Sequence, residues 1–184
     1  MRQLAMLGFA GTIALAACAA AEETASQANP ATAAEAASAT LTGKAGSGVS
    51  GSVAFHAMAG GVHLEARVEG APAGSHGFHL HETGDCSAAD FSSAGAHFNP
   101  AGVDHGGPDA AVHHAGDLGN LEVGADGVGT LSLHSTQLAI AEGPSAVVGR
   151  AVILHENADD LTTQPTGNAG GRLACGVIAA AATP

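Results

Sequence analysis

The sequence is poor in positive charge. Its 184 residues include only 5 lysines and arginines against 17 aspartates and glutamates, which gives a formal net charge of −12 at pH 7. A nucleic-acid partner requires a basic face that displaces counterions, and a polybasic membrane surface requires clustered cations. The composition therefore argues against both kinds of partner.

Charged residues of either sign and helical patterning are also scarce. Charged residues make up 12% of the chain, too few for a coiled coil or a highly charged disordered protein. Beyond about residue 40, no segment repeats its apolar residues with a sustained period of 3.6. The length suits one domain of about 150 residues together with a shorter additional segment.

The N-terminal residues have the layout of an export signal. Arg2 precedes a stretch of apolar and small residues over 4–17, which ends in the run LAAC at Cys18. This order is typical of a secretory signal peptide. LAAC also resembles the bacterial lipoprotein box, in which cleavage before the cysteine leaves a lipid on its sulfur. We predict a signal peptide over 1–17, lipidation of Cys18 and a location in the bacterial cell envelope, the periplasm.

Two alternatives to the lipoprotein remain open. Cleavage within residues 19–21 would release an unlipidated protein, and an uncleaved anchor is disfavoured because the segment is short and alanine-rich for a span of about 20 residues. Residues 18–40 contain no large apolar side chain after the cysteine, so they are predicted to form a flexible spacer. The folded domain is predicted to occupy residues 41–184.

The domain contains several short strand patterns. Between Gly61 and Gly70, apolar residues alternate with His, Glu and Arg, which indicates a strand with one buried face. Similar runs, most of them bounded by turn residues, cover 49–55, 118–123, 128–134, 147–155 and 173–179. Many short strands without helices predict an all-β fold, an antiparallel sandwich or barrel.

Residues 82–116 do not fit this pattern, because they are rich in Gly, His, Asp and Pro. A loop of this length inside a compact domain needs something other than secondary structure to order it. It contains Cys86 and several residues of metal-binding type. We therefore predict a loop held by cross-links rather than by a core.

Cys86 and Cys175 remain once Cys18 is lipidated or removed, and an even number suits one disulfide. They are 89 positions apart, and closing so long a loop stabilises a fold by about 4 to 5 kcal/mol in the chain-entropy model. Such a bond persists in an oxidising compartment. Two buried free thiols are the alternative, which the export signal disfavours.

Histidines outnumber lysines and arginines, with 11 against 5. His79 and His81 in GFHLHE are two positions apart, so on a strand both imidazoles point to one side and can bind one metal ion. Further residues of metal-binding type follow along the chain, namely His97, His105, His113, His114, Asp117 and His155. The sequence predicts an exported β domain with a histidine-rich metal site.

Six segments together resemble the copper/zinc superoxide dismutase family. They are GFHLHETGDC, GAHFNP, HGGP, HAGDLGN, LHENADDL and GNAGGRLACGVI, in this order, and the resemblance covers residues 41–180. It implies an antiparallel Greek-key β-sandwich or barrel with long metal-binding and channel loops. It also implies that the protein disproportionates superoxide to dioxygen and hydrogen peroxide at a copper ion that alternates between two oxidation states. A structural zinc ion would lie next to the copper. The activity would protect the cell envelope from superoxide.

The resemblance also implies the metal ligands. Four nitrogens suit copper, and three histidines with one carboxylate suit a closed zinc site. The family pattern H-x-G-D selects His114 rather than the adjacent His113, and His97 bridges the two metals. The implied copper ligands are His79, His81, His97 and His155, and the implied zinc ligands are His97, His105, His114 and Asp117.

Other roles follow from the same resemblance. Asp159 hydrogen-bonds a histidine from each metal site, Arg172 positions the anion beside copper, and Cys86 pairs with Cys175. His97 takes up a proton when copper is reduced and returns it on reoxidation. The residues before Arg172, DDLTTQPTGNAGG, contain no lysine, so we predict weak electrostatic steering of superoxide. The other five histidines are predicted to be exposed or locally bonded: His56, His63, His76, His113 and His134.

Two other functions are disfavoured relative to the dismutase. A non-catalytic copper-buffering lipoprotein on the same scaffold would be expected to lack a copper ligand or the channel arginine, and this chain has all of them. A zinc hydrolase is disfavoured because every implied zinc position is filled, which leaves no open coordination position. The implied partners are superoxide and a membrane reached only through lipid on Cys18; the protein is a homodimer or a monomer.

Overall fold

Nine antiparallel strands and no α-helix make up the part of the chain described here. The computed structural model describes residues 35–181, among which no helix is long and apolar enough to cross a membrane. The strands are β1 (Glu35–Gly43), β2 (Ser50–Met58), β3 (Gly61–Glu69), β4 (Gly74–His81), β5 (Asp117–Val123), β6 (Val128–Ser135), β7 (Ala151–His155), β8 (Arg172–Val177) and β9 (Ala179–Ala180).

The strands close into an eight-stranded antiparallel barrel. Their order is β2-β3-β6-β5-β4-β7-β8-β1, and pairing of β1 with β2 closes the ring, while β9 adds a short pair to β1. Neighbours in the barrel are not always neighbours in sequence, since β3 pairs with β6 and β4 pairs with β7. This is the all-β Greek-key fold that the resemblance implied, with β4 and β7 side by side at the metal centre.

The barrel core follows from the alternation of apolar residues in each strand. Val53 and Phe55 of β2, together with Leu64 and Val68 of β3, are almost completely buried. They belong to one apolar cluster that includes residues of seven strands. Because the inward faces of seven strands contribute, the barrel gives β4 and β7 a rigid base.

The folded domain begins earlier than the sequence analysis predicted. Residues 35–40 were assigned to the flexible spacer, but they belong to β1, in which Ala37 and Ala39 are 0% and 3% exposed. The alternation of alanine with serine and threonine was hidden because alanine has so small an apolar side chain. The predicted signal peptide, Cys18 and residues 18–34 of the spacer lie outside the described residues.

Two further differences concern strands near the metal centre. The sequence pattern predicted a strand over 147–155, but β7 begins at Ala151, because a turn through Gly149 (φ 83°) interrupts the run. The strand β4 was not among the predicted runs, although its two histidines were placed on a strand. Its apolar alternation is masked because six consecutive residues from His76 to His81 are buried.

Residues 82–116 form the long loop that the sequence predicted, with a single 3-10 turn at Ser92–Ala94. A second, smaller apolar cluster lies beneath it, in which Phe91 and Ala94 of the loop pack against Ile153 of β7 and Cys175 of β8. The disulfide Cys86–Cys175 joins the same surfaces, with 5.8 Å between the Cα atoms. The loop is therefore fastened to the barrel by a covalent bond and a local core.

Candidate metal centre

Four buried histidines from two strands and the long loop surround one point. His79 and His81 extend from β4 and His155 ends β7, while His97 comes from the loop. All four are at most 4% exposed, and the ring centroid of His97 lies 4.1 Å from that of His79 and 6.0 Å from that of His155. These are the four residues that the resemblance implied as copper ligands.

The loop places His97 by pairing with β4. Phe98 N–H donates to the Leu80 carbonyl at 2.8 Å, and Gly116 N–H donates to the Phe98 carbonyl at 2.9 Å. His81 and His97 form an isolated antiparallel bridge. The segment around His97 is thus hydrogen-bonded as if it were an extra rung of the sheet, which fixes the position of its imidazole although it lies outside a strand.

A second buried group lies next to the first and shares His97 with it. It consists of His97, His105, His114 and Asp117. The Asp117 carboxylate lies 2.9 Å from His97 Nδ1, 3.0 Å from His105 Nδ1 and 3.1 Å from His114 Nδ1. Three histidines and a carboxylate are a typical closed zinc set. These are the residues implied as zinc ligands.

The pattern of hydrogen-bonded and unbonded ring nitrogens in the histidines suits the binding of two metal ions. Among the described side chains, three buried nitrogens lack a hydrogen-bond partner: His79 Nδ1, His97 Nε2 and His105 Nδ1, the last of which lies 3.0 Å from Asp117 Oδ2 without forming a hydrogen bond. An unpaired buried nitrogen costs about 1 to 3 kcal/mol unless something binds it. These nitrogens lie within the two groups, while the opposite nitrogens of the same rings are hydrogen-bonded. The residues present therefore fit a pair of metal ions.

Asp159 connects the two groups by contacting one histidine of each. One of its carboxylate oxygens accepts from His79 Nε2 at 2.8 Å and the other accepts from His105 Nε2 at 3.0 Å. Its own position is fixed by Asn120, whose side-chain amide donates to the Asp159 carbonyl and accepts from the Asp159 N–H. Hydrogen bonds of this kind orient imidazoles and leave the other ring nitrogen to the metal.

A second amide side chain fastens the long loop to the segment between β7 and β8. Gln164 accepts from the His105 N–H at 2.7 Å and donates to the His105 carbonyl at 2.8 Å. Near it, Gly167 adopts a left-handed conformation (φ 63°) directly against Asp159, and a Cβ there would lie 2.6 Å from His105 Nε2. Only glycine fits so close to the carboxylate. Asn120 and Gln164 were not singled out from the sequence, because a lone amide carries no spacing signal.

Burial keeps the histidines neutral, as metal binding requires. Burial lowers the pKa of His81 to about 2 and that of His155 to about 4, and it lowers the pKa of His79 well below its usual value. His97 adds to each shift by electrostatic repulsion. The imidazoles of His79, His81 and His155 are thus ready to donate lone pairs at neutral pH.

The carboxylate of the second group stays ionised although it is buried. Burial raises the pKa of Asp117, but hydrogen bonds outweigh that effect and the pKa lies below its ordinary value. The donors are His97 and the backbone N–H groups of His114 and Gly106. Burial also lowers the pKa of His114. A charged carboxylate among neutral imidazoles is suited to a dication.

Arg172 lies beside the first group and is held by the long loop. It occupies the position opposite His155 in the pairing of β7 with β8. Its guanidinium donates to the Phe91 carbonyl and, at 2.6 Å, to the Gly95 carbonyl, which also accepts from His81 Nδ1. Burial lowers the pKa of Arg172, while Asp90 opposes that shift. The cation is fixed relative to the buried histidines.

The other cations of residues 35–181 are engaged elsewhere. Lys44 pairs with Glu156 at 3.0 Å and Arg67 pairs with Glu69 at 2.9 Å. Arg150 stacks 4.4 Å above the Phe98 ring. Positive potential near the first group therefore comes mainly from Arg172, as the lysine-free sequence before it predicted.

The five remaining histidines differ in their surroundings. His76 is buried, with its ring nitrogens 2.9 Å from the carbonyls of His155 and Pro72. His113 has one ring nitrogen near the His114 carbonyl and the other 2.7 Å from Gln137 Nε2, outside both groups. His63 is buried, whereas His134 is exposed and His56 intermediate. The prediction that all five are exposed or locally bonded did not anticipate the burial of His63 and His76 or the contact of His76 with the distant His155.

An antiparallel barrel that gathers two buried histidine-rich sites around a shared imidazole defines a binuclear metalloprotein. Comparison with known proteins narrows this class. The family model of copper/zinc superoxide dismutase (SODC) matches residues 49–178. The extracellular superoxide dismutase [Cu-Zn] of Drosophila melanogaster is 47% identical over 123 residues, which are 64% of this chain and 67% of that protein.

A solved structure shares the fold. The crystal structure of the clock protein EA4 matches with a TM-score of 0.71 and 39% sequence identity, and the match covers 79% of this chain and 94% of that one. The chain belongs to the copper/zinc superoxide dismutase family. It is an enzyme that disproportionates superoxide to dioxygen and hydrogen peroxide, and its cofactors are copper and zinc.

Proposed function

We propose that the first group binds copper and the second binds zinc, with His97 between them. Copper would be held by His79 Nδ1 and by Nε2 of His81, His97 and His155. Zinc would be held by Nδ1 of His97, His105 and His114 and by the Asp117 carboxylate. The main support is that three buried ring nitrogens of these groups have no hydrogen-bond partner, because a metal ion on each side supplies what they lack.

Copper, when bound, supplies the one-electron chemistry that oxidises one superoxide to dioxygen and reduces the next to hydrogen peroxide. The chain's own residues would bind the anion and manage protons. Arg172 positions superoxide with its guanidinium, which is fixed by loop carbonyls. His97 would hold a proton for peroxide at Nε2 whenever that nitrogen does not bind copper, while its Nδ1 faces the Asp117 carboxylate at 2.9 Å.

Paired ligand variants test the assignment of the two metals. We expect His81→Ala to lose copper and activity while retaining zinc, and His114→Ala to lose zinc first while retaining copper. Metal analysis of both purified variants measures this directly. Loss of zinc from His81→Ala with copper retained would contradict the assignment, as would loss of both metals to the same extent in each variant.

An arginine pair tests whether Arg172 acts on the anion. We expect Arg172→Ala to lower the rate by about tenfold or more, because the anion beside copper loses a fixed hydrogen-bond donor, with copper content unchanged. Arg150→Ala is the matched control because Arg150 stacks on Phe98. Equal rates in the two variants would contradict the role of Arg172 and favour a copper-binding protein.

We further propose that the enzyme acts in the bacterial cell envelope and is tethered through a lipid on Cys18. The proposal rests on the LAAC run after a short apolar segment and agrees with the extracellular relative. Metabolic labelling with a radioactive fatty acid tests it. We expect label and membrane association in the wild type and neither in Cys18→Ser. An unlabelled wild-type protein would contradict the tether.

A further inference from the structure

A cleft of about 450 Å³ opens onto the zinc side of the metal centre. Residues of the long loop form one wall, and residues 164–166, from the segment between β7 and β8, form the other. His97 and His114 form the floor, since they line the cleft and are only 4% and 5% exposed. Both belong to the second group, and no other copper-group histidine lines the cleft. The cleft therefore leads from solvent to the second group.

The rim of this cleft is acidic. Glu82 and Asp104 line it and are exposed to solvent. None of the cations of residues 35–181 lines it, these being Lys44, Arg67, Arg150 and Arg172. Arg150 donates to the main-chain carbonyl of Glu82 rather than to its carboxylate. A cleft lined by charge of one sign concentrates ions of the opposite sign and raises their association rate by about 10- to 1000-fold.

The two carboxylates are held beside ligands of the second group. Glu82 Oε1 accepts from the N–H of the residue before His97 at 3.2 Å. Asp104 directly precedes His105, a further ligand of that group. Gln164, on the opposite wall, accepts from the His105 N–H at 2.7 Å, so it fixes the main chain next to Asp104. The negative charges of the rim therefore stay close to the floor of the cleft.

We propose that this acidic cleft is the entry route by which a hydrated zinc ion reaches the second group. The proposal rests on the assignment of zinc to that group. Glu82 and Asp104 attract the dication to the rim, and the imidazoles of the floor are the first ligands that replace its water. The same carboxylates repel superoxide, which leaves the anion to approach on the side of Arg172. Charge thus separates the path of the metal from the path of the substrate.

A smaller cavity provides the competing route. It measures about 110 Å³ and reaches Asp117 from the side of β6. Asp109 and His113 line it, and the His113 ring lies between the His114 carbonyl and the side chain of Gln137. This cavity is about a quarter of the size of the acidic cleft, and a hydrogen-bonded side chain occupies its wall. The acidic cleft is therefore the wider opening to the second group.

The rate of zinc association tests the route. Zinc sulfate is mixed in a stopped-flow instrument with the full chain, from which zinc has been removed by chelation, in competition with a fluorescent zinc chelator. At an ionic strength of about 0.01 M we expect Asp104→Asn to slow association about threefold and Glu82→Gln/Asp104→Asn about tenfold. Asp109→Asn is the matched control, because it removes an exposed carboxylate of the same loop that lines only the smaller cavity. At about 1 M salt, where the Debye length is about 3 Å, all the rates should converge.

Zinc content after long incubation separates the route from the site. We expect one zinc per chain in every variant, which also shows that each has folded. Equal association rates in the wild type and Asp104→Asn, or slowing in Asp109→Asn alone, would overturn the route and leave the zinc assignment intact. Faster superoxide decay by loaded Asp104→Asn with unchanged zinc association would place the rim on the path of the anion and overturn the proposal. A wild-type chain that takes up no zinc would contradict the assignment and the route together.

Discussion

The two halves of the metal centre are built differently. On the copper side, His79, His81 and His155 extend from paired strands, β4 and β7, whose backbones the barrel fixes. On the zinc side, His105 and His114 extend from the long loop, and only Asp117 begins a strand. The comparison teaches that the sheet preorganises the copper ligands, whereas the zinc ligands depend on cross-links that hold a loop in place.

These cross-links come from every side of the loop. The disulfide holds one end, Arg172 holds the Phe91 and Gly95 carbonyls, and Gln164 holds the backbone of His105. Asp159 then reaches both halves at once. Weakening a cross-link should therefore affect zinc and the position of Arg172 before it affects the strand-borne copper ligands.

Removing the disulfide should give the largest change in stability. We expect Cys175→Ser to lower the free energy of unfolding by about 4 to 5 kcal/mol, because the bond closes a loop of 89 residues. Denaturant unfolding of the loaded protein measures this. Cys86→Ser and the reduced wild type serve as controls that should agree with it. A loss below about 1 kcal/mol would show that the local core alone holds the loop.

Removing the Asp159 carboxylate, which contacts histidines of both groups, should weaken zinc binding more than copper binding. We expect Asp159→Asn to weaken zinc binding about 10- to 100-fold, in the range measured for residues that orient metal ligands. Copper should weaken less, because the strands still hold its ligands. The neighbouring Asp160→Asn is the matched control, since the Asp160 carboxylate accepts hydrogen bonds from Thr162 and Thr163 in its own turn. Equal loss of both metals from Asp159→Asn would contradict the claim that the sheet fixes the copper ligands more firmly than the loop fixes the zinc ligands.

Acid should reveal how well the copper side is preorganised. Protons compete with a metal only below the pKa of the metal-free ligand, and burial lowers the pKa values of His81 to about 2 and His155 to about 4. We therefore expect copper affinity to stay nearly constant as the pH falls from 7 to about 5 and to decline near and below 4. Copper retention in a dialysis series measures this. A steep decline beginning near 6.5, the usual value for histidine, would contradict it.

The smallest expected effect concerns salt. Because the cations Lys44 and Arg67 are paired with carboxylates and the net charge is −12, steering depends mainly on Arg172. We expect the rate to stay nearly flat as ionic strength rises at constant pH, whereas the rate of a lysine-bearing relative falls. A decline as steep as that of the relative would show that other cations contribute.

The sequence predicted the copper ligands on the strands more directly than the zinc ligands on the long loop. His79 and His81 have strand spacing, which by itself predicts two imidazoles on one face. His105 and His114 have no such spacing, so the sequence marked them only as residues of metal-binding type, and their place in the zinc site came from the resemblance to known dismutases. The choice of His114 over His113 also came from the family pattern.

Other features could not be predicted because they arise from contacts distant in sequence. The first strand was missed because its inward residues, Ala37 and Ala39, are as small as those of a linker. Asn120 and Gln164 act through backbone atoms of Asp159 and His105, 39 and 59 positions away. Similarly, the acidic cleft exists only because the long loop and the segment between β7 and β8 come together in the fold.

The central claim is that this chain gathers imidazoles around a redox-active ion that superoxide can reach. The most direct test combines metal analysis of the exported protein with superoxide decay before and after copper chelation. We predict one copper per chain, rapid decay that chelation abolishes, and recovery when copper is restored. Protein that contains zinc without copper, or that contains copper yet leaves decay as slow as in buffer, would contradict the account.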